Sequence, residues 1–242
     1  YRSSVLSSNE MKFWFSIRLL MAVVLFTLII TTSVRFVAGN TIIYEFLFAR
    51  NGVSELTGIQ PSDLSVIAQQ VKEYLVGDRT DLNIKALVYG ETLHLFTAAE
   101  LSHMYDVRHL FSLTFQTQLY SFFLLLAVFA LSLLRLKKRV LLELALWIQS
   151  GALLCFSSIA AVGIASLVAF PQLFELFHMV GFPQGNYKFN SNTSFLVQIF
   201  PLGFWKEITI LIGLISVLSS MIGLLVAFYI KRQLRGIKMC RY

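Results

Sequence analysis

Two short stretches hold most of the groups in this chain that could move a proton. The first, Thr97-Ala-Ala-Glu-Leu-Ser-His-Met-Tyr-Asp-Val-Arg108, carries His103, with Asp106 three residues on and Glu100 three residues back. Residues three apart on a helix share a face. A carboxylate beside an imidazole nitrogen fixes the ring's tautomer and raises its basicity. Asp106 suits that role, and Glu100 competes for it unless helix capping occupies it. The same spacing also fits an ordinary surface pair. The second stretch, Phe177-His-Met-Val-Gly-Phe-Pro-Gln-Gly-Asn186, carries His178. Here Gly185 would let backbone N–H groups approach a ligand closely, and Asn186 offers an amide donor. Such a turn could hold an oxyanion or be only a turn. His94 and His109 are weaker candidates, the first inside an alternating apolar stretch and the second near the membrane surface. A metal held by His103, Asp106 and His178 is conceivable. However, the chain has no His-Glu-x-x-His, no Cys/His zinc spacing and no Gly-x-Ser-x-Gly, so the expectation is no metal and no cofactor.

The elements that must position these groups are membrane helices. The 242 residues are 57% hydrophobic, with a mean hydropathy of +0.72, which soluble domains rarely tolerate. Residues 1–11 are polar and Ser-rich and read as a tag or an upstream tail. Apolar stretches at 12–38, 118–136, 140–170 and 207–230 are each long enough for a hydrocarbon core of about 30 Å at 1.5 Å per residue. Backbone groups in lipid must be bonded internally, so these are helices. The net charge of +7 is concentrated beside them: Arg135 to Arg139, and Lys231, Arg232, Arg235, Lys238 and Arg241. This is positive-inside marking rather than a nucleic-acid footprint. It predicts a cytoplasmic turn at 137–139, a basic cytoplasmic tail at 231–242, and both termini inside. Charge is almost absent from mid-span; Glu143 lies just past the basic turn. That absence argues against a transporter. Cys155 lies in a span and Cys240 in the basic tail, so no disulfide between them is expected.

Two segments are left facing outward. Residues 39–117 hold nine of the thirteen acidic residues. Pro61 opens a helix whose apolar face is Leu64, Ile67, Val71, Tyr74 and Leu75. A short hairpin turns around Tyr89-Gly-Glu91. Thr97 and Glu100 form a capping box for a helix that carries His103 and runs into the second span. No large core is expected in this segment. The other outer segment, 171–206, combines the turn Pro183-Gln-Gly-Asn186 with Tyr187, Phe189 and further aromatics, and reads as a re-entrant or interfacial loop. The fold class is an all-α polytopic membrane protein. It has four transmembrane helices, a small extracytoplasmic α/β segment between helices 1 and 2, and an aromatic-rich outer loop between helices 3 and 4.

The two patches, with Tyr187-Lys-Phe189 and Leu196-Val-Gln-Ile-Phe-Pro-Leu-Gly-Phe-Trp205, resemble the lipoprotein intramolecular transacylase family of four-span membrane proteins of Gram-positive bacteria. Order, spacing and placement beside the spans all agree. The chain departs from the family's pattern at Met179, where Glu is common, at Tyr187, where Trp is common, and at Asn190, where an acid is common. The resemblance implies a multi-pass cell-membrane enzyme with its active site at the extracytoplasmic face. Its substrate would be a bacterial lipoprotein whose N-terminal cysteine bears a diacylglyceryl thioether and a free α-amine. The reaction would move the sn-2 acyl chain onto that amine, giving a lyso-lipoprotein, with His103 and His178 as general acid and base. Asp106, Glu100, Arg108, Gly185, Asn186 and Tyr187 would support the histidines or position substrate. The partners implied are the diacylglyceryl-modified lipoprotein and membrane lipid, with no nucleic acid. Two other classes remain open: a membrane sensor or binding module, and another lipid-directed acyltransferase or hydrolase.

Overall fold

The computed structural model describes residues 8–136 and 139–239. Part of the tail expected at 1–11, most of the expected turn at 137–139, the end of the basic tail and Cys240 lie outside the described residues. Four long helices carry the apolar stretches: α1 (Ser8–Ala38), α5 (Ala98–Leu136), α6 (Val140–Gly181) and α8 (Leu202–Met239). Between α1 and α5 come α2 (Thr41–Arg50), α3 (Val53–Thr57), α4 (Pro61–Val76) and the antiparallel hairpin β1 (Lys85–Val88) and β2 (Glu91–His94). The short α7 (Phe195–Ile199) precedes α8. The protein is therefore a mostly helical, multi-pass membrane protein, with four spans and one small two-stranded sheet among the described residues. The 39 residues of α5 make roughly 58 Å of helix, about twice a hydrocarbon core. Its uncharged run begins only after His109, so the turns bearing Glu100, His103 and Asp106 lie outside the membrane-spanning part.

The chain divides into two compact units. The first comprises the described residues of Tyr1–Thr32, Thr117–Ala161 and Leu214–Tyr242. Met21, Val24 and Trp147 form its buried centre, with Ile17, Leu25, Leu28, Leu125, Val128 and Phe129 against them. Gly151 lets α6 lie directly on α1: a Cβ there would stand 2.6 Å from the Cβ of Leu25 and 3.2 Å from the carbonyl of Ala22. Small residues at crossings serve this purpose where no hydrophobic effect drives helices together. Arg18 donates to both carboxylate oxygens of Glu143, at 2.7 and 2.6 Å, and Lys231 pairs with the Gln149 amide oxygen.

The second unit is Ser33–Gln116 and Val162–Gly213. The α4 face expected from periodicity is buried, with Ala68 added to it. Tyr89 and Gly90 both take positive φ, 48° and 92°, as a two-residue hairpin turn of the primed type demands. One expectation fails here. Residues 39–117 do have a substantial core, running from Tyr44 and Phe48 through Ile67, Val71 and Leu95. It was hidden because Leu196, Ile199, Phe200 and Phe204 of the other outer segment complete it, with Phe48 lying 5.5 and 5.7 Å from the rings of Phe200 and Phe204. Phe200 and Phe204 of the outer segment 171–206 are thus core residues, with Phe189, Phe195 and Trp205 packed against them, while Phe177 stays half exposed. A second difference concerns α6. Ala169 has non-helical torsions (φ −143°, ψ 43°) two residues before Pro171, a position where proline's missing N–H and ring disrupt the ladder. The helix then resumes through Gly181, so His178 stands on a helix and not in a loop.

Candidate functional site

His103 is placed by the start of α5. The Thr97 N–H and hydroxyl both donate to Glu100 Oε2 at 2.7 Å, and the Glu100 N–H returns a bond to Thr97 Oγ1 at 3.3 Å. This is the reciprocal capping box that satisfies helix donors lacking partners of their own. The second carboxylate oxygen accepts from the Ser194 hydroxyl and from the Leu196 N–H. Burial opposes the charge on Glu100, but these hydrogen bonds outweigh it and hold its carboxyl below the usual carboxylate range. Glu100 is thus fully engaged in fixing the helix start to the start of α7, and it is no competitor for His103.

His178 comes from the last turns of α6, beyond the kink. The two imidazoles stack, with centroids 5.9 Å apart and planes inclined by 23°. Aromatic rings enclose them: Phe182 and Phe189 at 4.7 and 5.8 Å from His103, and Phe174 and Tyr187 at 4.3 and 5.1 Å from His178. His178 Nδ1 lies 2.8 Å from the Phe174 carbonyl oxygen. A carbonyl only accepts, so Nδ1 is the donor. His103 is 7% exposed. Burial first, and the neighbouring His178 second, push its protonation below the ordinary histidine range, while Asp106 and Asn186 pull the other way. His103 therefore stands as a neutral imidazole at neutral pH.

The remaining expected residues sort unevenly. Asp106 shares a helix face with His103, yet its hydrogen bonds go to the turn after α6: Gln184 Nε2 and Asn186 Nδ2 both donate to its Oδ2, at 2.6 and 2.7 Å. The carboxylate anchors the turn and makes no direct bond to the ring. Gly185 has φ +77° and gives its N–H to the Phe182 carbonyl at 3.0 Å, closing the turn rather than offering that donor to a ligand. Asn186 gives one of its two amide N–H groups to Asp106. The Tyr187 ring packs on His178 while its hydroxyl reaches Glu175 at 3.4 Å. Arg108 points elsewhere, to the Thr80 carbonyl at 3.4 Å and over the Tyr74 ring. His94 bonds Asn83 on the hairpin at 2.8 Å. Sequence reasoning passed over Gln184, Ser194, Phe174 and Glu175. Gln184 lay inside the turn motif and was the most visible of these, since an amide flanking a glycine turn is a natural partner for a carboxylate. Among the described residues no three His, Cys, Asp or Glu side chains are grouped as metal ligands.

An uncharacterised protein of Aquifex aeolicus (strain VF5) is 24% identical over 192 residues, covering 77% of this chain and 82% of that protein. The fold is that of the membrane-integral lipoprotein intramolecular transacylase Lit from Bacillus cereus: the TM-score is 0.77 at 14% identity, over 93% of this chain and 99% of that one. A histidine-to-alanine variant of the same protein matches with a TM-score of 0.74, at 14% identity, over 94% of this chain and 98% of its own. Residues 19–205, most of the chain and both histidine patches included, match the family described as lipoprotein intramolecular transacylase Lit, and the chain belongs to that family.

Proposed function

We propose that this protein moves the sn-2 acyl chain of an S-diacylglyceryl cysteine onto that cysteine's own α-amino group, using His103 and His178 as general acid and base. The observation that carries the reading is the histidine pair itself: two imidazoles 5.9 Å apart in an aromatic enclosure, one buried with its protonation pushed down, the other donating Nδ1–H to its own helix backbone. The proton balance calls for two such groups. The α-ammonium brings three protons; one stays on the amide nitrogen, one ends on the glyceryl oxygen, and one leaves for bulk water. One imidazole takes a proton from the ammonium, whose pKa is near 8. As an imidazolium it faces the oxyanion that develops when the amine attacks the ester carbonyl. It then returns the proton to the sn-2 oxygen as the carbon–oxygen bond breaks. The second imidazole removes the surplus proton from the new amide nitrogen. Donor and acceptor belong to one molecule, so positioning supplies much of the rate and neither metal nor cofactor is called for.

The site lies at the extracytoplasmic ends of the spans in this reading, opposite the basic segments. A diacylated substrate has to enter sideways from the bilayer, because exposing its chains to water costs ~0.8 kcal/mol per CH₂. Phe177, Met179 and Val180, beside His178, are half or more exposed and suit a lipid-facing entrance. The test is tandem mass spectrometry of a diacylated reporter lipopeptide incubated with the protein in bilayers. Unchanged total mass with one acyl chain on nitrogen is expected. Loss of an acyl chain as free fatty acid would make the protein a lipid hydrolase, and an unaltered substrate would make it a binding module.

A further inference from the structure

Two polar groups of the site are buried without partners: Nδ1 of His103, on α5, and Oδ1 of Asn186, in the turn after α6. Unpartnered buried polar atoms are costly, and each requires an explanation. The explanation begins at Asp106. An ionised carboxylate only accepts, so the Asn186 amide must turn its NH₂ toward Asp106 Oδ2, where it lies at 2.7 Å. That bond decides which end of the amide is nitrogen and which is oxygen. The oxygen is left on the side away from Asp106, and Asn186 is a side-chain hydrogen-bond neighbour of His103 that favours the ring's protonated form, while Oδ1 and Nδ1 both stay unpartnered. An amide oxygen can satisfy a ring nitrogen in only one way, with a proton on Nδ1.

We propose that Asn186 is a positioning residue that relays the orientation set by Asp106 to His103. Asp106 accepts from the Asn186 amide nitrogen, the Asn186 oxygen accepts from His103 Nδ1–H, and the proton on Nδ1 leaves Nε2 as the basic nitrogen. A small closure of the turn onto α5 pairs both orphaned atoms at once. Gln184, which donates to the same carboxylate oxygen at 2.6 Å, holds Asp106 in place for the relay. The two histidines then share one tautomer by different means. His178 takes its Nδ1 proton's acceptor from its own helix backbone, and His103 takes its acceptor from a side chain 83 positions along the sequence. Both present Nε2. The proposal deepens the acyl-transfer reading and depends on it only for its effect on rate.

The experiment is ¹⁵N NMR of histidine-labelled protein in lipid nanodiscs at neutral pH, with His103 assigned by its loss in His103→Ala. The Nδ1–H tautomer is expected in the unaltered chain. Asp106→Asn frees the Asn186 amide to turn over and should convert a large fraction of His103 to the Nε2–H form, while His178 keeps its tautomer. Asn186→Leu should leave His103 a mixture of both. Acyl transfer should fall about ten- to a hundredfold in each variant, mostly in kcat. An Nε2–H tautomer in the unaltered chain overturns the relay without any variant being needed. So does a tautomer unmoved by both substitutions, which would make the Asp106–Asn186 bond a structural tie only. A tautomer that switches while acyl transfer persists upholds the relay and removes His103 from the proposed chemistry.

Discussion

In the unit built from Thr117–Ala161 and the parts of α1 and α8 grouped with it, Leu19, Leu131, Leu134 and Leu225 all turn outward. In the other unit Leu47, Leu64, Leu75 and Leu95 turn inward onto one another and onto aromatics. The same residue type serves opposite solvents. Where the surroundings are hydrocarbon, apolar burial gives little drive, and helices are held by close contact at Gly151 and by the paired charges of Arg18 and Glu143. Where they are aqueous, an ordinary buried core forms, and it is rigid enough to hold titratable side chains in fixed orientations. In the second setting a carboxylate such as Asp106 is held by two amide donors near a buried imidazole. In this contrast, polar groups of the first unit hold the helices together, and those of the second are the ones to which the proposed chemistry is assigned.

The sharpest way to break the contrast is to remove the imidazoles. His103→Ala and His178→Ala should each lower acyl transfer by about two to four orders of magnitude while the protein still inserts and unfolds at an unaltered temperature. Near-full conversion by either variant would assign that histidine to structure. A smaller effect is electrostatic. Because burial and His178 depress the protonation of His103, an NMR titration should find the ring neutral at about pH 6.5, where an ordinary histidine is half protonated. Asp106 acts in the opposite sense, so Asp106→Asn should move the midpoint further down; an upward move would contradict the assigned cause. In the other unit, Glu143→Ala strands the Arg18 guanidinium, whose partial exposure tempers the loss. A cost of about 1–3 kcal/mol is expected in unfolding measurements, with activity per folded molecule unchanged. Activity lost at full stability would erase the division of labour. The smallest effects should follow His94→Ala and His109→Ala, within about 0.5 kcal/mol of the parent and with conversion intact.

The sequence revealed what is local. The capping box at Thr97 and Glu100, the buried face of α4 and the Tyr89–Gly90 turn each rest on residues a few positions apart, and their physics is contained in a short window. The spans follow from length and composition, and the placing of His103 and His178 at one face followed from the span count. What stayed hidden is non-local. Asp106 finds Gln184 and Asn186 across 78 and 80 positions, so its spacing to His103 suggested a direct bond that the fold redirects. The core of residues 39–117 was invisible because its missing wall, from Leu196 to Phe204, lies beyond two spans. Pro171 looked like the end of a helix, yet the helix resumes because the turns after it bury His178 and Phe182 among other rings.

Glu100 also imposes an order of assembly. One of its oxygens is satisfied by groups three residues away, the other by groups 94 and 96 residues away. A chain emerging in sequence can close the helix cap as soon as α5 exists. The second oxygen has no donor until α5 and α6 have both been laid down and the residues from Ser194 arrive. Closing so long a loop is entropically slow, and a half-satisfied buried carboxylate is unfavourable until it is done. Arrival of the segment from Ser194, with only α7 and α8 still to follow, is therefore coupled to relief of a penalty built in long before, so the helix start that carries His103 is fixed late in assembly.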